Sequence, residues 1–247
     1  MKCYDLLIIG SGYTSLGMAL ARKNVLICEE SESCDAGFYS TLKCFTREDY
    51  NPKTKIGEDL YTYYKDLGLF SENMQNCTGF ECGFCEFALR NNVNILLKCR
   101  VVQVEEENEK KKVTLLTNSG LEQVLTKDIC FTTQKPEKKI FSLLFTVSEP
   151  HKDMKQIQDI FPEGKIEPAF YENRGALHLP VSGNADYNQV IEEVYERWEN
   201  ASPDSQILLL APRFLILTAE KENLPVDANF NNPIAAFEAG YFWGLQN

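Results

Sequence analysis

The stretch LLIIGSGYTSLGMALA, residues 6–21, decides how the chain is read. An apolar run stops at Gly10, Gly12 follows two positions on, and small residues recur as the spacing turns helical. Residues 4–9 (YDLLII) predict a buried parallel strand. Residues 14–22 predict a helix, and residues 25–28 (VLIC) a second buried strand ending at Glu29. This β-α-β unit is either a bare strand-to-helix corner or a turn that holds a nucleotide diphosphate on the helix N-terminus. Gly10 fills the tight-turn place and Gly12 the place of close backbone approach, with Ser11, Tyr13 and Thr14 around them. Ser15 stands at the third, small position, and Ala19 is a further small residue four places on. Glu29 follows about 20 residues after the first glycine, where a carboxylate accepts hydrogen bonds from ribose hydroxyls. Taken together, strand, helix, strand and acid favour the nucleotide turn, and an acid rather than an arginine argues against a phosphorylated ribose.

Composition bounds the rest. The 247 residues are 44% hydrophobic, enough for one sizeable core or a main domain with a smaller one. A net charge of -11 argues against nucleic acid and anionic membrane surfaces as partners. No apolar stretch reaches the ~18 residues of a membrane span, and the N-terminus reads straight into a strand with no signal-peptide pattern. The nine cysteines are odd in number and scattered, several of them, such as Cys28 and Cys130, inside apolar runs. They read as small core residues of a protein in the reducing cytoplasm, and no Cys/His spacing suggests a metal.

Further along, residues 57–67 predict a helix. Thr78-Gly79-Phe80-Glu81 has the form of a capping box for another helix that runs to Asn91. NILLKCRVVQVEE, KVTLLTN and LEQVLTKDICFTT predict strands of a β-meander, with turns at EENEKK and NSG. Composition shifts near Lys135-Pro136. Residues 136–211 read as an inserted α+β domain: strand 139–149, helix 152–161, two strands within 165–183, helix 186–199 and strand QILLLA. RFLILTAE then reads as a return to the main sheet. NNPIAAFEAGYFWG reads as a closing helix with Asn232 as N-cap and Pro233 at its first position.

Three separated stretches resemble the FAD-dependent oxidoreductases of the glutathione-reductase-like and D-amino-acid-oxidase-like superfamily. They are YDLLIIGSGYTSLGMALARKNVLICEE, the helix and meander over 78–134 ending in ICFTTQ, and FLILTAE followed by NNPIAAFEAGYFWG. The resemblance implies an α/β chain. Residues 1–135 and 212–247 would form a Rossmann-like FAD-binding domain, a parallel sheet with a β-meander, and 136–211 a cap. It implies FAD as cofactor, a small-molecule substrate and hydride transfer to flavin. It assigns cofactor contacts to Gly10, Ser11, Gly12, Tyr13, Thr14, Ser15, Glu29 and Glu30, to Gly37 and Ser40 in the loop SESCDAGFYST, and to Val101, Thr132 and Thr133. Glu220 matches the ribityl-binding acid, and Asn232, Pro233 and Ile234 the helix start that points at the flavin. The chain departs from the family pattern at Ser15, Gln134 and Ala219, each standing where the family has glycine.

Four residues are candidates for chemistry. Cys82 and Cys85 form a C-x-x-C near a helix start, a redox spacing, although packing inward beside Phe84 and Phe87 is the preferred reading. His178, in GALHLPV, is an acid or base from a cap strand, or a satisfied sheet residue. Arg174 is a fork for a substrate carboxylate, or a surface turn residue; Tyr171 is its neighbour. His151 reads as exposed in a linker. Two rival functions stay open: a degenerate chain of the same fold acting as an assembly or regulatory protein, with a protein partner or a second copy, and an NAD-dependent dehydrogenase.

Overall fold

The computed structural model describes residues 1–34, 38, 50–70, 79–132, 136–168, 173–201, 208–218, 224–230 and 232–247. The apolar run at the N-terminus becomes β1 (Lys2–Ile9), followed by α1 (Tyr13–Ala21) and β2 (Val25–Cys28). Next come α2 (Lys55–Asp66), α3 (Phe80–Arg90), β3 (Asn94–Leu96), β4 (Arg100–Glu107), β5 (Lys110–Thr117) and β6 (Gly120–Phe131). Six strands form one sheet in the order β3-β2-β1-β6-β5-β4. The first four are mutually parallel, and β5 and β4 are added antiparallel as the meander. Ile9 stands level with Cys28 and Phe131, so β1, β2 and β6 open together at their C-terminal ends, the edge where open α/β sheets bind ligands.

The strand expected over NILLKCRVVQVEE is two strands. Asn94–Leu96 lies parallel on β2, and the chain then turns through Lys98 at φ 52° before β4 begins at Arg100. Leu96 O and Ser31 O accept from Glu29 and Lys98 amides, so this break ties the end of β2 to the loop beside it.

A second sheet comprises β7 (Pro136–Thr146), β8 (Lys165–Pro168), β9 (Arg174–Ser182) and β10 (Leu208–Thr218), in the antiparallel order β10-β7-β9-β8. Phe141, Leu143, Phe145, Leu177 and Leu179 point to one face. There they pack with Ile157 and Phe161 at the end of α4 (Pro150–Ile160) and with Val190 and Val194 of α5 (Tyr187–Ala201). QILLLA and RFLILTAE, read from sequence as separate strands with the second in the main sheet, are over their described part, Leu208–Thr218, one strand on the edge of β7. The break in register falls between Leu210 and Arg213, where Pro212 has no N–H to donate and the ladder is interrupted. Pairing along β7 satisfies the backbone groups on that edge of β10. His151, expected in a linker, lies in the first turn of α4.

A 3-10 turn (Asp227–Asn229) leads to α6 (Pro233–Gln246). Asn232 Oδ1 accepts from the Ile234 and Ala235 amides, and Pro233 needs no partner at the first position, as the spacing predicted. Helix α6 crosses α1 backbone against backbone: a Cβ on Gly240 would fall within 2.7 Å of the Thr14 carbonyl carbon. Tyr13, Phe38, Leu60, Tyr64, Phe80, Phe84, Ile234 and Phe237 form the core where α1, α2, α3 and α6 meet.

Candidate functional site

The turn after β1 is made at Gly10, where the sequence puts it. Gly10 has φ 107°, a conformation that side chains avoid, and its amide donates to Cys28 O at 2.8 Å. Ser15, in place of the third small glycine, adds a bond: its hydroxyl donates to Gly10 O at 2.7 Å and lies 3.1 Å from Thr132 Oγ1. Thr132 also donates to Ile9 O at 3.0 Å, so Gly10, Ser15 and Thr132 lock the ends of β1 and β6 together.

Glu29 is buried at the end of β2. Its carboxylate accepts from Ser11 N at 2.7 Å, Ser11 Oγ at 3.0 Å and Ser31 N at 2.9 Å. Glu30 points outward, 3.6 Å from Arg100. Val101 packs against the cluster of Tyr4, Leu7, Cys28 and Val113. Gly37, Ser40, Thr133 and Glu220 lie outside the described residues, as do Tyr171, Thr78, Gln134 and Ala219.

The helix that opens at the turn has no capping side chain at Gly12 and no acid in its first turn. Its free amides are taken instead by an acid from 214 positions away. Asp227 Oδ2 accepts from Tyr13 N at 2.8 Å, and Oδ1 from Thr14 N at 2.8 Å. A Cβ on Gly12 would lie 2.7 Å from Asp227 Cγ, so the space that this glycine leaves open holds the carboxylate. Sequence reasoning missed Asp227, because no local pattern connects it to the turn.

Tyr13 itself is fully buried. Its hydroxyl lies 2.5 Å from that of Tyr64, and its ring meets Phe38, Phe80 and Phe84 edge to face. Above this cluster sits the face of the second sheet opposite its helices: Ala176 and Leu144 join the same core. His178 is two residues on from Ala176 and shares that face. Its Nδ1 lies 2.8 Å from Ser142 Oγ, and its Nε2 lies 3.5 Å from Glu167 Oε2. All three side chains are buried, and neither His178 Nε2 nor Glu167 Oε2 has a hydrogen bond. Burial pushes the Glu167 carboxyl upward, but His178 and Lys165 outweigh it and hold it below the usual carboxylate range. Ser142 and His178 each interrupt an apolar run, but nothing local links either of them to Glu167, which stands beside Lys165 in KIEP. Arg174, at the far end of β9, is exposed and stands opposite Thr146.

Cys82 and Cys85 are both exposed on α3 and do not pack inward, because its buried face is built from Phe80, Gly83, Phe84, Phe87 and Ala88. The helix starts at Gly79 with no side-chain cap. The thiol that meets Cys85 belongs to Cys34, buried in the loop after β2. Its hydrogen bond lowers Cys85 to about 7, and the same bond together with burial raises Cys34. Among the described residues, no cluster of His, Cys, Asp and Glu is placed to hold a metal, and no helix is long and apolar enough to cross a membrane.

No protein-family model matches the chain, and no curated protein matches it in sequence. Solved structures do match its shape. A geranylgeranyl bacteriochlorophyll reductase-like protein from Thermoplasma acidophilum superposes with a TM-score of 0.58 at 12% identity, over 99% of this chain and 77% of that one. The p-nitrophenol 4-monooxygenase PnpA from Pseudomonas putida gives 0.55 at 10% identity, over 87% of this chain and 67% of that one. BexE, studied for oxidation during BE-7585A biosynthesis, gives 0.54 at 13% identity, over 86% and 52%. What these neighbours share with this chain is the fold, a mostly parallel α/β sheet extended by a meander, with a smaller antiparallel sheet beside it.

Proposed function

We propose that the chain is an FAD-dependent oxidoreductase acting on a small molecule. The observation that carries this reading is the junction of Gly10, the N-terminus of α1, which has no local cap at Gly12 and no acid in its first turn, and the buried Glu29 at the C-terminal edge of a parallel sheet. The residues fit an adenine dinucleotide at two of three points. Gly10 makes the turn, and Glu29 stands where a ribose would meet it. The third point, the diphosphate seat at Tyr13 N and Thr14 N, is held by Asp227.

When bound, flavin supplies a two-electron acceptor that takes a hydride from substrate. The chain's own residues would bind, orient and handle protons. Glu29 would receive ribose hydroxyls while keeping Ser11 in place. The substrate would lie between the cap sheet and the main domain, the side to which His178 and Glu167 turn. There His178 Nε2, which faces Glu167 Oε2 at 3.5 Å, would be the group to hold or release a proton.

The purified protein should show flavin absorption near ~450 nm, release FAD on denaturation, and bleach with an amino or hydroxy acid. A colourless protein that takes up no added FAD, either as the natural chain or with Asp227 replaced, would refute the reading. Asp227 in the diphosphate seat is the one observation favouring the rival, a non-catalytic chain of the same fold, and that result would favour it.

A further inference from the structure

The α1 N-terminus carries an anion already, and it is part of the chain. The first turn of a helix leaves unpaired N–H groups and the positive end of the helix dipole. In α1 neither Gly12 nor any acid in the first turn answers them. Both carboxylate oxygens of Asp227 do, at 2.8 Å each, one on Tyr13 N and one on Thr14 N. Asp227 is 9% exposed, and Val226 before it is buried at 2%, so the contact is enclosed and anchored. The vacancy at Gly12, which lets a diphosphate approach backbone in this fold, is filled by the same carboxylate.

We propose that Asp227 is a resident competitor in the diphosphate seat, so that a dinucleotide binds only when the segment from Val226 to Asn229 gives up the Tyr13 and Thr14 amides. The inference rests on the reading that this fold binds FAD, and adds how that site is regulated. A diphosphate and a carboxylate cannot share these amides: the hydrogen bonds are the same, and the charges repel. The free chain is stabilised by the contact, and its affinity for FAD is reduced by the fraction of molecules with the seat open. Anything that draws the 3-10 turn away, a substrate or a second protein, would raise FAD affinity by the reciprocal of that effect.

The test compares the full-length chain with Asp227→Ala and Asp227→Asn, the second of which keeps one acceptor oxygen and the shape. Two readouts are taken: the Kd for FAD by flavin fluorescence, and the 15N-amide shifts of Tyr13 and Thr14 with inorganic pyrophosphate. Asp227→Ala is expected to bind FAD at least ~10-fold more tightly than the natural chain, with Asp227→Asn between them. It should also show pyrophosphate-dependent shifts at a concentration where the natural chain shows none. If the natural chain binds FAD and both variants bind it equally or more weakly, Asp227 supports the cofactor and the proposal is overturned. If no form binds FAD, the FAD reading fails and pyrophosphate decides. Shifts in the variants alone sustain the exchangeable seat, and their absence overturns it.

Discussion

Glu238 lies fully buried on α6, and removing its carboxylate tests how the helical layer behind the turn is assembled. It accepts from Lys53 N at 2.8 Å and 2.9 Å, Thr54 N at 2.6 Å, Thr54 Oγ1 at 2.6 Å and Tyr50 OH at 2.7 Å. Thr54 in turn caps α2 through Gly57 N at 3.0 Å, and a Cβ on Gly57 would sit 2.8 Å from Glu238 Cδ. Glu238→Ala therefore strands two backbone N–H groups, the Thr54 hydroxyl and the Tyr50 phenol, and opens a small cavity. An unsatisfied buried polar group costs ~1–3 kcal/mol, and Tyr50 and Lys53 are exposed enough for water to relieve part of it. The sum is about 3–5 kcal/mol, in the range for breaking a buried charged contact. For a chain of this size each kcal/mol moves Tm by ~2–4 °C, so thermal unfolding should come ~6–20 °C earlier. Glu238→Gln, which keeps one acceptor oxygen, should fall between. Hydrogen exchange should localise the early opening to the first turn of α2. A Tm within ~2 °C of the natural chain would refute the reasoning, as would uniform exchange with α2 no faster than α3.

Two further outcomes follow from the titrating groups. Glu167 is held below the ordinary carboxylate range in the folded chain, so its contribution is fully present above that range and is lost as pH falls through its folded value. Glu167→Gln should therefore flatten the acid limb of a Tm-against-pH curve, and an unchanged acid limb would show that the His178 and Lys165 contacts are not held in solution. Cys85, lowered to about 7 by the Cys34 thiol, should reach half its maximal alkylation rate near that pH. In Cys34→Ala the midpoint should move up to the ordinary thiol range, and mass spectrometry should find the label on Cys85. An equal midpoint in both proteins would refute the thiol pairing.

How much was legible in advance depends on how local each cause is. β1, α1 and β2 could be read because an apolar run, two glycines and a terminal acid lie within 29 residues and act on neighbours. Asn232 and Pro233 could be read for the same reason: a cap acts on the next three residues. β3 escaped because three residues carry no periodicity, and the turn at Lys98 uses a positive φ without glycine. The edge placement of β10 escaped because an apolar strand reads alike in either sheet. Cys82-x-x-Cys85 misled because its spacing is local while the partner of Cys85 is Cys34, brought in by the loop after β2. Ser142, Glu167 and Asp227 were invisible because their partners are set by cross-strand register and by a segment on the other side of the chain.

The same physics joins the acidity of the chain to its turn. A net charge of -11 reads from composition as solubility and exclusion of nucleic acid. In the structure some of that charge is turned inward onto backbone amides: Glu29 on Ser11 and Ser31, Asp227 on Tyr13 and Thr14, Glu238 on Lys53 and Thr54, Asp153 on Ser148 and Glu149. Each carboxylate meets N–H groups at the start of a helix or in a turn, where an external anion would otherwise find them. An internal ligand needs no binding from solution, and its effective concentration is of millimolar order or above. A dinucleotide must therefore recover more from Glu29 and the flavin end than it loses in displacing Asp227. On the proposed reading, Asp227 is thus the position at which structural capping and ligand binding draw on the same two amides, and its replacement should strengthen the second while weakening the first.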